Sequence, residues 1–242
     1  MQPTKAYVSA LTNNDLRRLL VFQCAHQLLP QEQIQQLRQN GLYDADRDLK
    51  CLPEAELEQM VVSLLKPNRV AHVLGCRDTA VELAKLWGED VTNAARAALL
   101  HDITKALDGP LQLTLCEAYG IILDNFSLKN PKTLHALTGS LVAERVFGEN
   151  PAVVSAIRSH TTGKANMNLL EKIIYVADYI EPNRNFPGVE ELRMLAHTNM
   201  DKALKRGLEN TLRMLKEQGK EISPESQQAL EFLEAEKGMT LC

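Results

Sequence analysis

The chain carries six histidines, His26, His72, His101, His135, His160 and His197. His101 is followed directly by Asp102, and the pair closes the apolar run Ala97-Ala98-Leu99-Leu100. Asp178 sits in a second apolar stretch, Ile173-Ile174-Tyr175-Val176-Ala177-Asp178-Tyr179-Ile180. Polar groups in such surroundings must be hydrogen-bonded, ion-paired or metal-bound, because burying one without a partner costs roughly 2–7 kcal/mol. Neutral imidazole offers a nitrogen lone pair and is the commonest metal ligand near neutral pH. A carboxylate such as Asp102 can bridge two ions. His72, His135 and His160 are the further candidates. A set of imidazoles and carboxylates without thiolate favours iron, manganese or similar ions over a structural zinc site. Any one of these histidines taken alone reads better as a satisfied core or surface residue. The set is harder to explain that way, so a metal centre and an ordinary polar core both stand on the residues alone. His26 and His197 have polar neighbours and no carboxylate in a matching context, and read as ordinary residues.

These groups can meet only if rigid elements carry them. Adjacent residues on a helix point about 100° apart, so one helix can hand both His101 and Asp102 to a cleft. His72 would come from an earlier helix, His135 and His160 from two later ones, and Asp178 from the helix after those. Helix signals recur along the chain. Asn150-Pro151 is an N-cap followed by a first-turn proline, with Gly163 beyond the run it opens. Asn168 and Glu171 have capping-box spacing, and Pro182 stops the helix they begin. Ser223-Pro224 opens a last helix with Ala229, Leu230 and Leu233. Gly109-Pro110 reads as the end of the helix carrying Ala94, Ala95, Ala98 and Leu99. Period-2 alternation of β-branched residues is absent, and the one Asn-Gly, Asn40-Gly41, follows a helical run. The expectation is an all-α fold of nine or ten helices.

Composition narrows the function classes. Of 242 residues, 45% are hydrophobic and 24% charged, ordinary for a globular protein. Lys and Arg number 27 against 31 Asp and Glu, a net charge of −4, which argues against a nucleic-acid partner. No apolar run approaches the roughly 18 residues of a membrane span, and no secretory signal is visible at the N-terminus. Five widely spaced cysteines without a Cys-x-x-Cys pair suit reduced thiols in a cytoplasmic protein. Tyr43 to Asp48 is polar and acidic, with Pro53 soon after, and divides a Gln-rich segment, residues 1–50, from the alanine-rich residues 51–242. About 50 residues is small for an independent core.

The order His72, His101-Asp102, Asp178 resembles the H…HD…D pattern of HD-domain metal-dependent phosphohydrolases. Arg69-Val70-Ala71-His72, Leu134-His135-Ala136, Ser159-His160-Thr161-Thr162-Gly163 and Ala177-Asp178-Tyr179-Ile180-Glu181-Pro182-Asn183-Arg184 narrow the likeness to the YqeK family. Its members are symmetrical bis(5′-nucleosyl)-tetraphosphatases, which split diadenosine tetraphosphate into two ADP. The resemblance covers about Leu57 to Leu233. It implies an HD-domain helical bundle with a dinuclear metal cleft holding iron, or manganese or other divalent ions. His72, His101, Asp102 and Asp178 would be the main ligands, with Asp102 able to bridge. His135 and His160 would complete the second ion or contact phosphate. Asp102, Lys105, His135 and His160 would act in catalysis.

The implied substrate is a dinucleoside polyphosphate and the product a nucleoside diphosphate. A net acidic chain must grip that substrate with local cations, and Arg69, Lys105 and Arg184 are the candidates. Thr161 would donate to phosphate or cap its helix, Tyr179 would stack on a base or pack, and Ile222, Ser223 and Pro224 would close the nucleotide pocket. A nucleotidase or cyclic-nucleotide phosphodiesterase on the same metal core is the alternative, and a non-catalytic nucleotide-binding module is a further one. Leu28-Leu29-Pro30, Ile34 and Asn40-Gly41-Leu42-Tyr43 resemble the C-terminal tail of nicotinate-nucleotide adenylyltransferases, without the His-x-Gly-His motif of those enzymes. A plain amphipathic extension explains them as well. HD proteins often pair through surface helices, so a homodimer is compatible with the resemblance.

Overall fold

The computed structural model describes residues 3–40 and 47–239. Helices follow one another from end to end, and no strand occurs among the described residues. They are α1 (Lys5–Ser9), α2 (Asn13–Val21), α3 (Gln31–Gln39), α4 (Glu54–Leu64), α5 (Pro67–Trp87), α6 (Val91–Leu100) and α7 (Gly109–Ala118). Then come α8 (Asn125–Lys129), α9 (Leu134–Arg145), α10 (Pro151–Ser159), α11 (Leu169–Ile180), α12 (Val189–Thr198), α13 (Met200–Glu217) and α14 (Pro224–Met239). This exceeds the nine or ten expected. Five-residue helices such as α1 and α8 are too short to show a 3.6-residue periodicity.

Most boundaries follow from local chemistry. The Asn168 side chain accepts from the Glu171 N–H while Glu171 accepts from the Asn168 N–H, the full capping box, and α11 ends before Pro182. The α6 boundary differs from expectation. It ends at Leu100, and residues 101–106 form turns with i→i+3 bonds such as Lys105 N–H to Asp102 O. Gly109-Pro110 opens α7 instead, with the Asp108 side chain accepting from Leu111 N–H. Proline has no N–H to lose in a first turn, so the dipeptide starts a helix as readily as it follows one. The expected boundary at Tyr43 to Asp48, and the Gly41-Leu42-Tyr43 likeness, lie largely outside the described residues.

The chain forms two compact units, residues 1–66 with 102–150, and residues 67–101 with 151–242. In the first, the Arg18 guanidinium donates to Leu64 O at 2.7 Å, tying α2 to α4. Tyr119 donates to Phe22 O at 2.9 Å and Tyr7 to Asp108 at 2.6 Å, fastening the N-terminal helices around α7. In the second unit α5 packs on α6 and α11, and α10 on α6 and α11. The buried alanines 94, 95, 97 and 98 keep α6 narrow, so its neighbours approach closely. The amphipathic α13 buries Ala203, Leu204, Gly207 and Leu208, and a Cβ at Gly207 would stand 3.3 Å from the Tyr175 ring.

Candidate metal centre

In the second unit, α5 carries His72, the end of α6 His101, the end of α10 His160 and α11 Asp178. The three imidazoles are buried and Asp178 is half-buried. Each ring has its Nδ1 committed. His101 Nδ1–H donates to Ala98 O at 2.6 Å, His160 Nδ1–H to Ile157 O at 2.6 Å, and His72 Nδ1–H to Glu181 Oε1 at 3.1 Å. These bonds assign the tautomers and leave Nε2 as the lone-pair nitrogen on every ring. The Nε2 atoms converge: those of His72 and His101 are 3.3 Å apart, and Asp178 Oδ1 lies 3.0 Å from the first and 3.9 Å from the second. His101, His160 and Asp178 offer three ligand atoms within 4.8 Å of one another. Lone pairs and a carboxylate turned toward one point repel unless a cation sits among them, so the donor set fits a divalent metal.

The first unit contributes a second cluster. Asp102 follows His101 by one peptide bond and is buried. His135, on α9, donates from Nδ1 to Lys132 O at 2.8 Å and turns Nε2 toward Asp102 Oδ1 at 3.4 Å. Lys105 Nζ reaches His135 Nε2 at 2.8 Å and Asp102 Oδ1 at 3.7 Å, carried by turns rather than a helix. The backbone of His135 is held from below, where Thr104 Oγ1 donates to its carbonyl at 3.0 Å and Gln112 donates to Thr104 O at 2.7 Å. Lys105, Gln112, Pro131, Lys132 and His135 border a cavity of about 530 Å³. That volume suits a small-molecule ligand.

The other expected residues take varied places. Arg69 stands in the first turn of α5, three residues before His72. Thr161 Oγ1 lies 3.1 Å from His160 Nε2. Ser223 is buried at the start of α14, and Glu225 beside it accepts from Thr162 Oγ1 at 2.8 Å, which brings residues 222–224 to the His160-Thr161-Thr162 turn. Tyr179 packs parallel to Tyr175 and edge-on to Phe186, so its ring already has two partners. Arg184 grips Asp178, with Nη2 to Oδ1 at 2.6 Å and Nε to the carbonyl at 2.8 Å. Burial works against its charge most strongly of any single cause, but the Asp178 carboxylate together with Glu181 and Cys76 holds the guanidinium above its ordinary value. One participant was missed from sequence: Glu181, 1% exposed, beneath His72. Its signal was present as a lone carboxylate ending an apolar helix.

An HD domain model matches residues 69–183, the span that contains every one of these ligand candidates. Among curated relatives, the symmetrical bis(5′-nucleosyl)-tetraphosphatase of Halalkalibacterium halodurans is 41% identical over 169 residues, covering 69% of this chain and 90% of that protein. The Bacillus subtilis protein of the same name is 39% identical, covering 67% and 87%. A crystal structure from Clostridium acetobutylicum, described as a predicted HD superfamily hydrolase involved in NAD metabolism, superposes with a TM-score of 0.74 at 38% identity, over 76% of this chain and 98% of that one. With the motifs in order, the donor atoms converging and relatives aligned over most of their length, the chain belongs to the HD-domain family of symmetrical bis(5′-nucleosyl)-tetraphosphatases, a family of hydrolases.

Proposed function

We propose that the chain is a metal-dependent hydrolase that adds one water across the central phosphoanhydride of diadenosine tetraphosphate and releases two ADP. The observation that carries this reading is the convergence of the His72 and His101 Nε2 atoms with Asp178, every Nδ1 being tied elsewhere. The names of the relatives supply the substrate class. His72, His101, Asp102 and Asp178 would hold a dinuclear centre, iron or in its stead manganese or another divalent ion. Such a centre would supply a water of lowered pKa and would neutralise charge on phosphate oxygens.

The chain's own groups do the rest. His135 and His160 keep Nε2 as the lone-pair nitrogen, each ring fixed by its Nδ1–H on a backbone carbonyl, and would complete the second ion or meet a phosphate. Lys105 brings a cation against His135, where a phosphate oxygen gaining negative charge would be stabilised. Arg69 and Arg184 supply further positive charge, and Ile222-Ser223-Pro224 with Thr161 border the nucleotide. Residues 1–50 serve as an appended helical piece rather than a second active site.

Product analysis tests the reading. The protein supplied with Fe²⁺ or Mn²⁺ should convert diadenosine tetraphosphate to ADP alone, two per substrate. Asp102→Ala should lose most bound metal and nearly all turnover while keeping its helical content. AMP with ATP as products, or a variant retaining more than about a tenth of wild-type activity, would refute it.

A further inference from the structure

We propose that Glu181 is the positioning residue for His72, and that residue 75 is glycine so that Glu181 can reach it; this rests on the metal-centre reading above. Glu181 is the C-cap of α11, three residues past Asp178, yet its carboxylate turns inward beneath α5. Both oxygens are spoken for. Oε1 accepts from His72 Nδ1–H at 3.1 Å, and Oε2 accepts from the Asn183 backbone N–H at 2.7 Å and from Asn183 Nδ2 at 2.9 Å. Asn183 Nδ2 also donates to Ala71 O at 3.1 Å, the carbonyl just before His72. Arg193, from α12, fixes the backbone of the same turn by donating to the carbonyls of Ile180, Glu181 and Arg184 at 2.9, 2.9 and 3.0 Å. The carboxylate is therefore held from several directions.

Gly75 lies three residues after His72 on the same helix, facing this turn. A Cβ there would stand 2.7 Å from Glu181 Oε2, 3.2 Å from Asn183 Nδ2 and 3.3 Å from Pro182 Cδ. The first distance is shorter than any real contact tolerates, and the atom in the way is pinned by two hydrogen bonds from Asn183 while its partner oxygen is held by His72, so it is not free to swing. Glycine here serves space, since its backbone is ordinary helix. The consequence is chemical. An acceptor on Nδ1 sets the ring plane of His72 and holds the proton on Nδ1, which leaves the Nε2 lone pair for the metal. Glu181 touches neither metal nor substrate and acts through His72.

The test uses the full chain stripped of metal, titrated with Mn²⁺ alone and followed by calorimetry and by the spin resonance of free Mn²⁺. Thermal unfolding of each metal-free variant is measured alongside. Glu181→Ala and Gly75→Ala should each raise the Mn²⁺ dissociation constant by about 10- to 100-fold, the range seen when such outer partners are removed. Glu181→Gln keeps an acceptor oxygen for His72 and should raise it by less than Glu181→Ala. Should Glu181→Ala fail to fold, Gly75→Ala decides, since alanine suits a helix interior better than glycine. Mn²⁺ affinity within threefold of wild type in the folded variants overturns the proposal, even with a lowered unfolding temperature, because that pattern marks a purely structural role. A wild-type protein that binds no Mn²⁺ overturns the metal centre and this proposal together, and needs no variant to be recognised.

Discussion

Arg184→Met separates substrate grip from ligand support. The guanidinium donates to Asp178 twice, at 2.6 Å to the carboxylate and 2.8 Å to the carbonyl, and its side chain is 35% exposed. Hydrogen bonds to charged groups contribute about 1.5–3 kcal/mol when dry. At this exposure solvent screening reduces that to about 1 kcal/mol. For a chain of this length that is a fall of about 2–4 °C in unfolding temperature. Methionine keeps much of the aliphatic volume, so packing changes little. Asp178 would lose a competitor for its charge, and Mn²⁺ content should therefore stay at the wild-type level or rise. If the guanidinium also meets phosphate charge that develops in the transition state, kcat/KM should fall by about 2–4 kcal/mol, roughly 30- to 900-fold. If it only binds ground-state phosphate, the loss should appear as raised KM. Steady-state kinetics on substrates with two to five phosphates, paired with elemental analysis of the same samples, reads both effects. The loss should shrink as phosphates are removed. Equal loss at every chain length, or loss of the metal with the activity, would show that Arg184 works only by holding Asp178.

Two further outcomes follow from packing and charge. Phe147 is fully buried, and Phe147→Ala should cost about 3–5 kcal/mol, read as a lower denaturant midpoint at unchanged slope; a cost under about 1 kcal/mol would place that ring outside the core. His197 donates from Nδ1 to Arg193 O and faces Glu82 across 2.9 Å, and the backbone bond first, then Glu82, raises its pKa. A raised folded value means the stabilisation is fully present below the unfolded value and disappears as pH rises through the folded one. Wild type should therefore exceed His197→Gln in stability at about pH 5 by roughly 0.2–1 kcal/mol, the scale of an exposed pair, and match it at alkaline pH. A gap that widens with pH would reverse the assignment.

Much of this protein is decided by signals a few residues long. Asn168 with Glu171, Asn150 with Pro151 and Ser223 with Pro224 each place a helix start, because a cap satisfies amides within one turn of itself. His101-Asp102 and Asp178 stand out for the same reason: a polar group in an apolar run is conspicuous whatever it later meets. Gly109-Pro110 reads in sequence as the end of the α6 helix and in fact opens α7, since the same dipeptide can follow one helix or open another and the turns over residues 101–106 lie outside any short-range signal. What sequence left open lies between distant positions. Glu181 is 109 residues from His72, and nothing local says that its carboxylate goes under that ring rather than to solvent. Arg184 is expected from its residue type to meet phosphate, and nothing in the sequence says that it also grips Asp178. Gly75 reads as a weak point in a helix until the turn it accommodates is seen. Even the direction in which each imidazole points its lone pair depends on which acceptor packing brings to Nδ1. Hydrogen bonds and close contacts are decided to within a few tenths of an ångström by how whole helices pack, and that precision is absent from residue types and their spacing.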